Sequence, residues 1–413
     1  GMVDTLMLSA VGDYAVGAVG TANSYIGIFI IMFSIISSGM VSVMTQNIGA
    51  GRPGVAYQAR QLGLLFNAVA GVLMAVFLFS GAGAILRMVG IADALYEPAL
   101  IYLKIVGGGC ILNAVIPIFS SYLRAFGYTK QPLYATIVGN IANFVMNAVF
   151  LFVLHKGVAG VAAATVISKI LNLCIVLYFS HKLISAKNST ERIANKTVLG
   201  QIVKVGLPSA CETALYNVAM MLVIRFLNQM DAEGLNVTAR SYTATISNFS
   251  YCVGAALAQA NAIMTGWHIG AGELEECDRG TKRAAFVGVC VAVCMETAIV
   301  LGSGFIMPLF TDNPEMTALV RKLLAIDIVL EIGRVTNLVF GQALKTSGDA
   351  VFPAVIAAVF MFVFAVGGTW LFGISMGLMA VGAYIGLASD ECVRAVGMVW
   401  RWKTGKWRTK KLV

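Results

Sequence analysis

Charge is what this chain has least of: 12% of its 413 residues are Asp, Glu, Lys or Arg, where an ordinary soluble domain carries roughly 25%. Beside 59% hydrophobic residues, that shortage excludes a water-soluble globular protein. Histidine is scarcer still. His155, His181 and His268 fall at expected helix ends, with no paired spacing and no HExxH, so no structural metal site is expected. There are eight cysteines but no CxxC. Cys290 and Cys294 lie one turn apart in an apolar run, which favours thiols packed in a core over disulfides or metal ligands. GxSxG, a phosphate-binding loop and a catalytic dyad are all missing, so the chain is not read as an enzyme and no cofactor is expected.

What is present is length of hydrocarbon. Leu62 to Ile85, Ala135 to Leu154, Val287 to Phe310 and Val351 to Phe372 each reach the ~20 residues that cross a bilayer as helix. The period-two alternation of a barrel is absent, so the spans are helices. Polar breaks divide the chain into about twelve, at 1–12, 15–47, 55–86, 97–125, 131–154, 158–181, 198–228, 235–267, 281–310, 316–345, 351–373 and 378–401. The expected fold is an all-α polytopic membrane protein.

Two phrases are written twice. NIGAG, from Asn47, returns as HIGAG, from His268, and LRAFGYTKQP, from Leu123, returns as LKTSGDAVFP, from Leu344; both echoes are 221 residues apart. A solenoid would repeat every 20 to 50 residues, so this offset reads as two homologous halves. Six spans per half is an even number, which makes the repeat parallel rather than inverted. The expected division is an N-terminal lobe at 1–181, a polar linker at 182–197, a C-terminal lobe at 198–401 and a basic tail at 402–413. The opening stretch to Gly12 is too short to span and starts as if inside a helix, so the first span is expected to lack its beginning.

The net charge of +9 fits a nucleic-acid or headgroup patch less well than positive-inside anchoring. Arg52, Arg60, Arg124, Lys130, Lys182, Lys187, Arg192, Lys196, Arg279, Lys282 and Arg283 fall on the side of the tail, and the opposite loops, such as NQMDAEG and TDNPE, are acidic. The IGAG loops, the linker and the C-terminus are therefore expected in the cytoplasm, in a multi-pass protein of the cell (inner) membrane.

An ionised residue at the bilayer centre costs about 2.5 to 3.5 kcal/mol even on the lenient insertion scale, so each is a functional candidate. Asp4 lies roughly 12 Å from the outer end of the first span at 1.5 Å per residue. In the tenth span Asp327, Glu331 and Arg334 follow at i, i+4 and i+7, on one helix face. Glu212 falls mid-span in the seventh. Glu212, Glu331 and Arg334 are expected to meet there, either as an ion-pair network fastening the two spans or as transport chemistry. Asp390, Glu391 and Arg394 read as packing. Asn143 and Asn147, one turn apart, and Thr165 offer polar ligands or simple helix bridges.

At this point MVDTLMLSAVGDYAVGAVG, TQNIGAGRP, LRAFGYTKQPLYATIVGNIANFVMNAVF and GVAGVAAATVIS resemble the multidrug and toxic compound extrusion (MATE) family over essentially the whole chain. The resemblance implies a twelve-helix transporter exporting organic cations or other amphiphiles in exchange for sodium ions or protons. It implies an ion-coupling site at Asp4, Asn143, Asn147 and Thr165, although Asn147 stands where many members carry Asp. Arg334 stands where some sodium-coupled members carry Asp, so Glu212, Glu331, Arg334 and Asn337 are assigned to a gating or substrate-facing network. The expected partners are a small amphiphilic or cationic molecule and the bilayer, with no nucleic acid, the chain acting as a monomer. A flippase for lipid-linked saccharides is the alternative, but its cavity would want several cations and the first half offers Lys104 and Lys169. A receptor or scaffold without transport is the alternative of another class, though a receptor would usually bring a sensing domain and the chain has no room for one.

Overall fold

The computed structural model describes residues 7–8, 13–88, 91, 93–184, 191–231 and 234–413. Among them there is no strand, and twelve α-helices follow one another. They are α1 (Asp13–Gly49), α2 (Pro53–Met88), α3 (Asp93–Gly108), α4 (Cys110–Ala125), α5 (Lys130–Ala148), α6 (Gly157–Leu183), α7 (Asn195–Met230), α8 (Leu235–Ala271), α9 (Leu274–Ile306), α10 (Pro314–Thr346), α11 (Val351–Phe360) and α12 (Met379–Lys403). Helices α5 and α11 continue as π-helical turns, at Val149–Val153 and at Met361–Val366 and Thr369–Ser375. Of the expected first span, Met7 and Leu8 are described, both buried.

Seven helices among the described residues are long and apolar enough to cross a membrane, and α3 with α4, bent by 40° at their break, make an eighth. Helices α8, α10 and α12 fall outside that count. Their interiors carry polar and charged residues, which in a bilayer must be covered by protein rather than lipid. The outer faces of α2 and α9 are the reverse: Leu73, Phe79, Phe286, Leu301 and Phe305 are all more than half exposed. So continuous an apolar surface marks contact with hydrocarbon. The same logic corrects the cysteine expectation. Cys110 and Cys277 are buried, but Cys174, Cys211, Cys252, Cys290 and Cys294 are exposed. A thiol suits lipid as well as a core, so apolar neighbours in sequence did not say which side it faces.

The chain divides into two compact units. One comprises Gly1–Met44 and Arg52–Gly206, the other Thr45–Gly51 and Leu207–Val413. Element boundaries repeat between them at the offset of the sequence echoes. Asp93 and Ala125, which bound α3–α4, lie 221 residues before Pro314 and Thr346, which bound α10, and the starts of α2 and α5 precede those of α9 and α11 by the same interval. The echoed phrases are helix ends. Gly51 and Gly272 follow α1 and α8 with φ of 74° and 80°, and Gly127 and Gly348 have φ of 85° and 98°. A left-handed residue after the last turn caps the orphan carbonyls, and glycine reaches that conformation without a Cβ clash.

The basic tail is built into the second unit. Trp407 stacks on Trp402 with ring centroids 4.2 Å apart, and the Trp402 ring nitrogen donates to Asp278 at 2.7 Å. Arg408 pairs with Glu275 at 2.6 Å, and Arg401 grips Asp349 through two nitrogens at 2.7 and 3.1 Å. The Leu412 N–H donates to Gln46 Oε1 at 2.7 Å, while Gln46 Nε2 donates to the Thr346 carbonyl at 2.6 Å. Lys403, Lys406, Lys410 and Lys411 remain exposed. Trp407→Ala is expected to cost about 3 kcal/mol, because it empties a fully buried site and uncovers Trp402. Thermal unfolding of the detergent-solubilised variant checks this, and an unchanged midpoint would mean the tail is not packed.

Candidate functional site

Four helices of the second unit enclose a cavity of about 320 Å³. Helix α7 lines it with Tyr216 and Met220, and α8 with Arg240, Ser247, Asn248 and Tyr251. Helix α10 adds Asp327, Leu330 and Arg334, and α12 adds Tyr384, Leu387, Asp390 and Glu391. The wall is therefore aromatic and charged at once, with three carboxylates to two guanidinium groups.

The i, i+4, i+7 spacing on α10 does place Asp327, Glu331 and Arg334 toward the interior. Asp327 and Glu331 are buried and Arg334 is partly so. Arg334 pairs with Glu331 and approaches Glu391 at 3.8 Å, and its guanidinium lies over the Tyr251 ring at 5.7 Å. Asn337 donates to Glu391 at 3.0 Å. Arg394 holds Asp390 through two nitrogens, at 3.1 and 2.7 Å, and Glu391 at 2.8 Å. Residues read from sequence as mere packing are thus one continuous chain of charge with Arg334. Backbone contact makes it possible. A Cβ on Gly333 would stand 2.7 Å from the Cys392 amide nitrogen and 2.8 Å from the Glu391 carbonyl carbon, so only glycine lets α10 and α12 come this near.

Glu212 is a correction. Rather than meeting Arg334, it pairs with Lys345 at 2.8 Å. The link between α7 and α10 exists, but about three turns further along α10. Mid-span position showed that Glu212 needed a cation and could not choose between two on the same helix. Glu296 of α9 was missed altogether. It is fully buried, and its carboxylate lies with those of Asp327 and Glu331, ligand oxygens all within 4.8 Å of one another. Its signal was present: a single acid inside the run Val287 to Phe310, which crosses the bilayer.

In the first unit, Asn147 is fully buried and its amide reaches Asn143 Oδ1 at 3.4 Å. The Thr165 hydroxyl donates to the Val161 carbonyl of its own helix at 2.9 Å. Asp4 lies outside the described residues.

The MatE family model matches residues 1–149 and 208–371, a segment in each half. The uncharacterized transporter YisQ of Bacillus subtilis (strain 168) is 32% identical over 416 residues, covering 99% of this chain and 91% of that protein. The probable multidrug resistance protein NorM of Thermotoga maritima is 20% identical over 426 residues, covering 100% of this chain and 90% of that protein. Among solved structures, the outward-facing conformation of a multidrug resistance MATE family transporter superposes with a TM-score of 0.89 at 19% identity, over 99% of this chain and 92% of that one.

The charge chain carries a measurable coupling. Arg334→Met alone leaves Glu331 buried without its cation, and breaking such a pair costs about 3–5 kcal/mol. Adding Glu331→Gln removes the stranded charge, so the double variant is expected to be more stable than Arg334→Met. A double-mutant cycle on unfolding in detergent measures the coupling, and strictly additive effects would show that the two groups never meet.

Proposed function

The chain belongs to the MatE family of membrane transporters, and from that premise we propose that it is a secondary active antiporter. In this reading it exports organic cations or other amphiphilic molecules in exchange for sodium ions or protons, by alternating access.

The observation that carries the reading is the cavity wall. Tyr216, Tyr251 and Tyr384 offer π-faces, and Asp327, Asp390 and Glu391 offer negative charge, around about 320 Å³. A cation with an apolar body uses both, since ring faces attract cations and exclude water while a few carboxylates fix orientation. Arg334 on the same wall stands 3.8 Å from Glu391, and Arg394 behind it holds Asp390 and Glu391, so cations already balance part of that charge when the cavity is empty. In this scheme Glu331, Arg334 and Asn337 form the gating and substrate-facing network together with Glu391, and Glu212 takes part through Lys345. Ion coupling is assigned to Asp4, Asn143, Asn147 and Thr165 in the first half. With Asn at 147, Asp4 is the one acid of that set. A lone deep carboxylate is neutralised by a proton, a small cation or a cationic substrate, and exclusion among the three is sufficient for antiport. The protein works as a multi-pass, monomeric component of the cell membrane with its C-terminus in the cytoplasm.

Proteoliposomes loaded with a fluorescent organic cation test this under separate sodium and proton gradients. One gradient is expected to drive export and Asp4→Asn to abolish it, with the fold kept because Asn is nearly isosteric and removes a buried charge. Undiminished gradient-driven export in Asp4→Asn, with loss in Glu331→Gln, would move coupling to the second half. Export under neither gradient would overturn the antiport reading.

A further inference from the structure

The antiport reading gives Glu296 no part, and packing does not account for the oxygens gathered around it. Both carboxylate oxygens of Glu296, Oδ2 of Asp327 and Oε2 of Glu331 are buried and receive no hydrogen bond of good geometry among the described residues. Two hydroxyls of α8 point into the same place. Ser250 lies within hydrogen-bonding reach of Glu296 and Ser247 of Asp327; both are buried, and neither hydroxyl is aligned for a hydrogen bond of good geometry. Arg334 meets this group through the other oxygen of Glu331 and turns otherwise toward Glu391, and Arg394 is held by Asp390 and Glu391. Glu296 and Asp327 form no salt bridge among the described residues.

The fold does not require charge here. At the repeat offset, Ser247, Glu296, Asp327 and Glu331 correspond to Ile26, Ala75, Val106 and Cys110 of the first unit. Those four residues belong to one apolar core cluster or pack against it. The same helical framework is therefore stable with hydrocarbon at these positions, and replacing it with three acids and a hydroxyl is costly unless something positive joins them.

We propose that Ser247, Ser250, Glu296, Asp327 and Glu331 form a binding site for a hard cation, separate from the coupling site assigned around Asp4. Every donor is oxygen, the ligand chemistry of hard cations rather than of zinc or copper. Oxygen ligands of a calcium-sized ion stand at about 2.3–2.6 Å, so those on opposite sides are roughly 5 Å apart, and one oxygen from each of the three carboxylates lies within 4.8 Å of the other two. Ser247 and Asp327 also line the cavity, which provides the entry path. Helices α8, α9 and α10 each contribute, so occupancy ties three helices of one unit together.

The test reads binding, not export, so it stands or falls apart from the antiport reading. The purified full chain in detergent and choline buffer is titrated with sodium chloride or calcium chloride, following heat of binding and thermal midpoint. Saturable binding is expected, with a midpoint that climbs with cation concentration. A response to sodium alone assigns a monovalent ion, and one to calcium alone a divalent ion; either supports the site where Glu296→Gln weakens it, since a sodium ion held at Asp4 would respond alike in both proteins. Glu296→Gln is expected to unfold no earlier than the parent in choline, since it removes a buried charge, yet to bind the cation roughly tenfold or more weakly. Ser250→Ala, which keeps all the acids, is expected to weaken binding in the same direction. Absence of response to either salt in the parent would mean the acids hold protons and would overturn the proposal. So would a parent-like response in Glu296→Gln.

Discussion

A carboxylate sunk in a hydrocarbon-thick layer has no water to turn to, and the second unit is arranged around that constraint. Each buried charge must find its compensation within the protein. Asp390, Arg394, Glu391, Arg334 and Glu331 answer by linking into one chain across α10 and α12. Its short reach depends on backbone contact at Gly333. Lys345 and Glu212 extend the same principle to α7. Since these charges point inward, the faces carrying them are too polar to meet lipid, and the cavity between them takes on their character.

Duplication shows which features belong to the framework and which to chemistry. Helix boundaries and left-handed glycine caps recur at a spacing of 221 residues, so they are what the fold needs. Interiors do not recur. Where the first unit packs Ile26, Ala75, Val106 and Cys110, the second buries a hydroxyl and three acids. A packed apolar cluster stabilises by area removed from water and from lipid gaps, whereas buried acids stabilise only with a counter-charge. Each copy thus keeps the scaffold while the inside has diverged.

Legibility in the sequence followed the range of the interaction. Helix periodicity and the i, i+4, i+7 stacking of Asp327, Glu331 and Arg334 are local, and both hold in the structure. Partner choice is not local. Glu212 finds Lys345, Glu391 joins Arg334 instead of serving packing alone, and Glu296 enters the group from α9. The tail shows the same limit: as a string of basic residues around tryptophans it reads as an anchor, yet Trp407 is fully buried against Trp402.

Composition, hydrophobic run length and the twice-written phrases by themselves determined a membrane protein of helices in two related halves, because each of these properties is written along a single stretch of chain. Tertiary structure alone decided which acid meets which cation, which cysteines face outward and which oxygens are left without partners. Those outcomes depend on distances of a few ångströms between helices far apart in sequence. A shift of about three turns along one face of α10 exchanges Arg334 for Lys345 while leaving hydropathy, charge count and periodicity as they were.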